Sequence, residues 1–283
     1  MANDNNNKKL ALVTGASSGI GFELAREFAK NNYNLIICAE DANGLTTAAN
    51  NLRAETGVMV EAVTADLSTR EGVETLYQAA KSVGPVDALA ANAGIGTYGN
   101  FASVNNAPEK SVQDTDLDIE LKMIDLNTKS VVHLTKLISR DMVARGSGQI
   151  LITASVVSFT PDAYQTVYAA TKAFDYIFAE GLRQHLKDTG VTVTALLPGA
   201  TDTNFFARAG ATGSKVYDKS NNGEKLADPA DVAKVAFKAL QNGDDHVVHG
   251  MMNKVMVGLT NFMPTPVGAK MNEMQMEPAK KAS

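Results

Sequence analysis

Short continuous apolar runs alternate with longer stretches of helical periodicity along most of this chain. The runs at 10–14, 34–39, 58–64, 86–91, 148–153, 191–197 and 246–249 predict strands. The patterns at 20–32, 43–56, 69–83, 115–145, 162–189 and 229–242 predict helices between them. Runs such as Ala88-Leu89-Ala90-Ala91 and Ile150-Leu151-Ile152 show no polar alternation, as strands buried on both faces require. Strand and helix in alternation predict an α/β fold, a doubly wound parallel sheet of about seven strands with helices on both faces. No Pro/Ser-rich linker and no internal repeat divides it, so 9–250 is read as one domain.

Composition narrows the class. The chain has 283 residues, 45% hydrophobic and 20% charged, enough for one large domain with a well-buried core. No apolar run reaches the ~18 residues of a membrane span. Residues 1–8 are polar and asparagine-rich, without the apolar segment of a signal peptide, and are read as a disordered leader of a cytoplasmic protein. A formal net charge of −5 argues against a nucleic-acid partner. The single cysteine, Cys38, lies inside an apolar run and reads as a buried spectator, and no thiolate metal site is available. No metal is expected. After residue 250 the chain is methionine-rich, with Met251, Met252, Met256, Met263, Met271, Met274 and Met276. Methionines fill irregular gaps, so 251–283 is read as an extension packed on the domain or on a partner subunit.

Ligands of doubly wound sheets gather at the carboxyl ends of the strands. The first strand ends in Thr14-Gly15-Ala16-Ser17-Ser18-Gly19-Ile20-Gly21 and leads into a helix. Strand, glycine turn and helix together make a phosphate cradle, because the turn allows close backbone approach and the helix start offers free N–H groups. Glu40 and Asp41 follow the second run, Asp66 the third, Asn92-Ala93-Gly94 the fourth, Ser155 the fifth and Pro198-Gly199 the sixth. Tyr168 and Lys172 are four residues apart in a helical pattern, which puts a phenol and an ammonium on one face. A nearby cation favours tyrosinate, so the pair is a candidate acid–base device.

With these motifs the chain resembles the short-chain dehydrogenase/reductase family in its single-domain form, over residues 9–250. TGASSGIG corresponds to the family's T-G-x-x-x-G-x-G turn, and Asn92-Ala93-Gly94 to its N-A-G. Asn127, Ser155, Tyr168 and Lys172 correspond to its catalytic tetrad, with Asn127 28 residues before Ser155 and Ser155 13 before Tyr168. The resemblance implies a Rossmann-like fold and hydride exchange between a nicotinamide cofactor and a carbonyl or alcohol substrate. It implies that Tyr168 is the general acid/base, that Ser155 holds the substrate oxygen, that Lys172 tunes the phenol and grips the ribose, and that Asn127 holds a relay water. The cofactor contacts it implies are Gly15, Ser17, Ser18, Gly19, Ile20, Gly21, Glu40, Asp66, Leu67, Asn92, Ala93, Gly94, Tyr168, Lys172, Pro198, Gly199, Thr201 and Thr203. It also implies a homodimer or homotetramer through the helices at 115–145 and 162–189.

Two carboxylates, Glu40 and Asp41, with no base in the glycine turn, favour NAD(H) over NADP(H), although the usual NAD-selecting acid would align at Ala39. The stretch 96–116 is longer than in compact relatives, and 201–227 reads as a mobile loop covering the substrate. Two other functions stay open: a non-catalytic nucleotide-binding or scaffold protein on the same fold, and an epimerase or dehydratase like the family's extended relatives.

Overall fold

The computed structural model describes residues 8–102, 112–221, 225–260 and 264–279. Residues 1–7 of the 1–8 leader, the middle of the 96–116 stretch and Met263 lie outside the described residues. Seven parallel strands, β1 (Leu10–Thr14), β2 (Asn34–Ala39), β3 (Val60–Thr64), β4 (Ala88–Ala91), β5 (Gly148–Thr153), β6 (Val191–Leu197) and β7 (His246–Val248), lie in the order β3-β2-β1-β4-β5-β6-β7. The order reverses between β1 and β4, and the crevice at that switch point opens on the carboxyl ends of the strands.

Strand alternation sorts the core into two layers. On one face Leu12, Ile36, Leu89, Ile150 and Val193 pack under α3 (Arg70–Val83), α5 (Ser130–Arg145) and α6 (Thr166–His185). On the other, Val13, Leu35, Ile37, Ala90 and Leu151 meet Phe28 of α1 (Gly19–Lys30), Leu45 and Leu52 of α2 (Ala42–Thr56) and Val232 and Leu240 of α9 (Pro229–Asn242). Both faces of every central strand are therefore covered, which is why these runs are apolar throughout.

The predicted elements are present with three differences. The helix predicted over 115–145 is α4 (Leu117–Ile124), a π turn (Asp125–Lys129) and α5. The pattern at 162–189 starts later, at Thr166, because Asp162 Oδ1 accepts from the backbone N–H groups of Tyr164 and Gln165 and holds an entry turn there. The segment read as a loop over 201–227 carries α7 (Phe205–Arg208), a 3₁₀ turn (Ala211–Gly213) and α8 (Lys215–Asn221). Phe206, Ala209 and Ala211 build a small core of their own there, against Tyr98, Phe205 and Tyr217.

After β7 the methionine-rich segment forms α10 (Met251–Thr260) and α11 (Thr265–Met276). Val257 is buried against Ala154, Leu197 and Val248. Asn272 Nδ2 donates to Thr160 Oγ1 at 2.8 Å, and the Tyr98 hydroxyl to the Met276 carbonyl at 2.7 Å. Both helices thus cap the carboxyl edge of the sheet.

Candidate active site

One cavity of about 760 Å³ lies along that edge. At its floor is the glycine turn. Gly15 and Gly19 take positive φ (68° and 58°), where a side chain is strained, and a Cβ on Gly21 would fall 2.2 Å from the Gly15 carbonyl oxygen. Thr14 Oγ1 accepts from the backbone N–H groups of Asn92 and Ala93, both at 3.0 Å, and Asn92 Nδ2 donates to the Thr14 carbonyl. The turn after β1 and the turn after β4 are thereby fixed to each other at the switch point. Ser18, the N-cap of α1, gives no side-chain bond to the helix start, so the first-turn N–H groups remain for an anion. The close-packed turn, with no room for side chains, fits a dinucleotide pyrophosphate.

Gly15, Ser17, Ser18, Gly19, Ile20 and Gly21 line the cavity, together with Glu40, Asp66 and Leu67 from the next two strand ends. Asn92, Ala93 and Gly94, then Ser155, Tyr168 and Lys172, and finally Pro198, Gly199, Thr201 and Thr203, complete the same wall. Asn127 does not line it. Its side chain is fully buried on the π turn, accepting from the Ile95 N–H (3.0 Å) and donating to the Ile95 carbonyl (2.9 Å) and to Thr171 Oγ1 (3.0 Å). Both amide hydrogens are used, so only a lone pair of Oδ1 and the backbone of the turn are left for a water. A Cβ on Gly94 would lie 3.1 Å from Asn127 Oδ1 and 3.5 Å from Lys172 Nζ, so the glycine turn after β4 brings Asn127 and Lys172 close together.

Ser155 lies two residues beyond β5, in extended backbone, as the N-cap of a 3₁₀ turn (Val156–Phe159); its hydroxyl donates weakly to the Pro198 carbonyl (3.4 Å) and accepts from Val157 N–H (3.3 Å). Tyr168 is half-buried on the first turns of α6, its ring 5.3 Å from that of Phe205. Lys172 is buried and donates to the Thr153 carbonyl (2.8 Å) and to Asp175 Oδ2 (3.0 Å).

The family model for short chain dehydrogenase matches residues 9–213. The chain belongs to the short-chain dehydrogenase family. It is 30% identical over 269 residues to the ketoacyl reductase HetN of Nostoc sp., with 92% of this chain and 86% of that one covered. A short-chain dehydrogenase from Sphingobium yanoikuyae, solved in complex with NADPH, superposes with a TM-score of 0.75 at 26% identity over 97% of this chain and 100% of its own. A 3-ketoacyl-(acyl-carrier-protein) reductase from Brucella melitensis, complexed with NADH, gives a TM-score of 0.70 at 26% identity, covering 86% and 97%. As a member of this family the protein is an oxidoreductase that uses a nicotinamide dinucleotide and acts on CH–OH or C=O groups. No helix among the described residues is long and apolar enough to cross a membrane.

The electrostatics differ from the simple Tyr–Lys picture. Burial raises the Tyr168 phenol; Lys172 and a hydrogen bond from Ser155 pull it down, Asp175 pushes it further up, and the net shift is upward. Burial acts to lower Lys172, but Asp175 and Tyr168 outweigh it and hold the ammonium charged. At the other end of the cavity, Lys122 Nζ lies 3.1 Å from Glu40 and 3.4 Å from Asp66. Asp41 caps α2 by accepting from the Gly44 N–H. Asp66 Oδ1 is taken by the N–H and hydroxyl of Ser68; burial pushes that carboxyl up, but the Ser68 bonds and Lys122 prevail and keep it low.

Three groups here escape a residue-by-residue reading of motifs. Lys122 is 82 residues from Glu40 in sequence, and no local pattern joins them. The tail residues Asn253, Met256, Asn272 and Met276 line the cavity because α10 and α11 fold back over it. Asp175 had a signal: 168, 172 and 175 share one helical face. Cys38 is buried, its thiol pushed up to about 12 mainly by that burial, and is unreactive.

Proposed function

We propose that this chain is a carbonyl reductase and alcohol dehydrogenase that uses NAD(H) in preference to NADP(H) and takes a bulky, mainly apolar carbonyl or its alcohol. The observation that carries the reading is the convergence of Ser155, Tyr168 and Lys172 with the glycine turn on one cavity, backed by buried Asn127. A nicotinamide dinucleotide held along the glycine turn, Asn92-Ala93-Gly94 and Thr203 would supply or accept the hydride. Tyr168 then delivers a proton to the oxygen on which charge develops. Ser155 hydrogen-bonds the same oxygen and holds it near the phenol. Lys172 keeps one donor for the ribose after Thr153 and Asp175 take the other two, and Asn127 fixes the Ile95 backbone beneath it.

Apolar substrate is favoured by Val156, Phe205, Phe206, Met256 and Met276, which line the same cavity as Tyr168, Phe205 with its ring against the phenol. NAD(H) is favoured because Glu40, Asp41 and Asp66 outnumber Lys122, and Ser17 and Ser18 bring no base. Residues 9–250 would form the catalytic domain and the tail its substrate cover. We read the assembly as a homodimer or homotetramer, and the setting as cytoplasmic in keeping with one buried free thiol.

The deciding experiment is oxidation of NADH and NADPH in parallel against a panel of aryl ketones, aliphatic ketones and aldehydes. Turnover with bulky ketones and NADH supports the reading. Tight cofactor binding with no turnover across the panel would instead make the chain a nucleotide-binding protein on this fold.

A further inference from the structure

A carboxylate with no assigned part in the chemistry sits directly beneath the site. Asp175 is fully buried on α6, one turn beyond Lys172, with Oδ2 3.0 Å from the lysine Nζ. Its other oxygen, Oδ1, is buried and finds no hydrogen-bond partner among the described residues. A carboxylate in that state is costly to keep, and replacing a buried ion pair with apolar side chains is often neutral or stabilising. Packing alone therefore gives no reason for an acid at this position.

We propose that Asp175 is a positioning residue of the active site: its buried carboxylate anchors Lys172 and balances the lysine charge beside Tyr168, so that the phenol stays protonated, as carbonyl reduction requires, through neutral pH. The proposal rests on Tyr168 being the acid–base group. An ammonium alone next to a phenol favours tyrosinate, whereas an ammonium held against a carboxylate presents only a dipole. Asp175 itself, its carboxyl pushed up by burial to about 6 against the pull of Lys172, remains ionised at neutral pH. Among the described residues, Lys172 and Asp175 are the charged groups that act on the phenol, and Lys172 is the one that acts on Asp175. The strands β5 and β6 and the 3₁₀ turn Val156–Phe159, all packed on α6, carry no ionisable side chain. On α4 and the π turn, Glu120 accepts from Thr115, Lys122 binds Glu40 and Asp66, Lys129 pairs with Asp125, and Asp118 is exposed. Asp162, at the entry to α6, spends Oδ1 on two backbone N–H groups.

The test is a spectrophotometric titration of tyrosinate, with Tyr168 isolated as the difference between each protein and its Tyr168→Phe counterpart. In the wild type the Tyr168 signal is expected to titrate above an ordinary phenol, about 10. Asp175→Asn should lower that midpoint by about one unit or more, the size of effect a neighbouring charge exerts. Asp175→Glu, which restores the charge, should move it back. If Asp175→Asn fails to fold, Asp175→Leu offers an apolar side chain of similar bulk, and the wild-type midpoint stands alone: a value well below 10 overturns the proposal. So does an unmoved midpoint in a folded Asp175→Asn.

Kinetics give a second readout. The inflections of kcat/KM for reduction and for oxidation belong to the same phenol and should shift together to lower pH in Asp175→Asn. Tyr168→Phe separates the two ideas. If that variant is inactive while the Asp175→Asn midpoint is unmoved, the proposal falls and the acid–base reading stands. If Tyr168→Phe keeps its turnover, the reading falls and takes the proposal with it.

Discussion

On the proposed reading the chemistry depends on Tyr168, and its removal makes the sharpest prediction. Tyr168→Phe deletes one hydroxyl and leaves the ring packed against Phe205, so NADH binding should survive while kcat drops by about 10²–10⁴, the usual share of general acid–base catalysis. Retention of more than about a tenth of kcat in steady-state assays would exclude the role. Lys172→Ala should weaken cofactor binding as well as rate, because on the proposed reading Nζ would serve the ribose as well as Tyr168; a loss confined to kcat would remove the ribose contact. The residues proposed to set cofactor choice behave differently, since Glu40 and Lys122 are both substantially exposed and their ion pair alone adds little stability. Replacing Glu40 with Arg reverses one charge and leaves Lys122 with Asp66 as its remaining carboxylate, and the KM ratio should move toward NADP(H) by about tenfold. Lys122→Ala should move it the other way, and added salt should shrink both effects. An unchanged ratio would place these side chains away from the ribose. Motif spacing made Ser155, Tyr168 and the glycines legible in the sequence, because each sits at a strand end or on a helix face. Lys122 was not legible, since its partners are on β2 and β3 and only the folded sheet brings them together.

Elements decide whether those side chains meet. The glycine turn works because β1 and β4 are adjacent at the switch point and the turn after β4 is held by Thr14. Gly21→Ala puts a methyl 2.2 Å from the Gly15 carbonyl oxygen, where backbone must yield, and 2.6 Å from the Asn92 side-chain Nδ2. Overpacking of this kind costs about 1–3 kcal/mol, so thermal melts should fall and the shift given by NADH should vanish. A normal melt with a full NADH shift would show that the turn tolerates side chains. The strands and helices of the central sheet were legible as apolar runs and periodic patterns because burial on both faces leaves no other pattern. The π turn was not, since Asp125–Lys129 continues the helical periodicity and what departs is the backbone, one extra residue that accompanies the inward turn of Asn127. Nor were α10 and α11 legible, because their weak patterning reflects packing across the cavity mouth. Asn272→Ala removes the bond to Thr160 and should raise KM for a bulky carbonyl more than it lowers kcat. Equal loss of both with a small aldehyde would mean that α11 supports the fold and not the substrate.

At the scale of the whole molecule, the question is what covers the apolar side chains left outside. Most large apolar residues of the sheet are buried, yet Ile177 on α6 is 68% exposed and Phe174 42%, while on neighbouring α4 Leu117 is 64% and Leu121 50% exposed. These two helices pack on each other, so the exposed positions are carried by adjacent elements. Scattered single residues of this kind need no explanation, but several on two packed helices are what a subunit interface supplies. Burying the exposed remainder of Ile177 and Phe174 would contribute on the order of 1–2 kcal/mol and about 1 kcal/mol respectively, enough to matter in a symmetric contact where every pair counts twice. Light scattering at micromolar concentration should therefore report a dimer or tetramer, and Ile177→Glu should shift it toward monomer while leaving the fold intact by circular dichroism. The site on the opposite side of α6 carries Tyr168 and Lys172, so dissociation would also loosen the helix that holds them. Activity per subunit should fall with dilution in the Ile177→Glu protein more than in the wild type. A wild type that is monomeric at these concentrations, or an Ile177→Glu protein with unchanged mass, would assign these apolar side chains to ordinary surface and leave the active site complete within one chain.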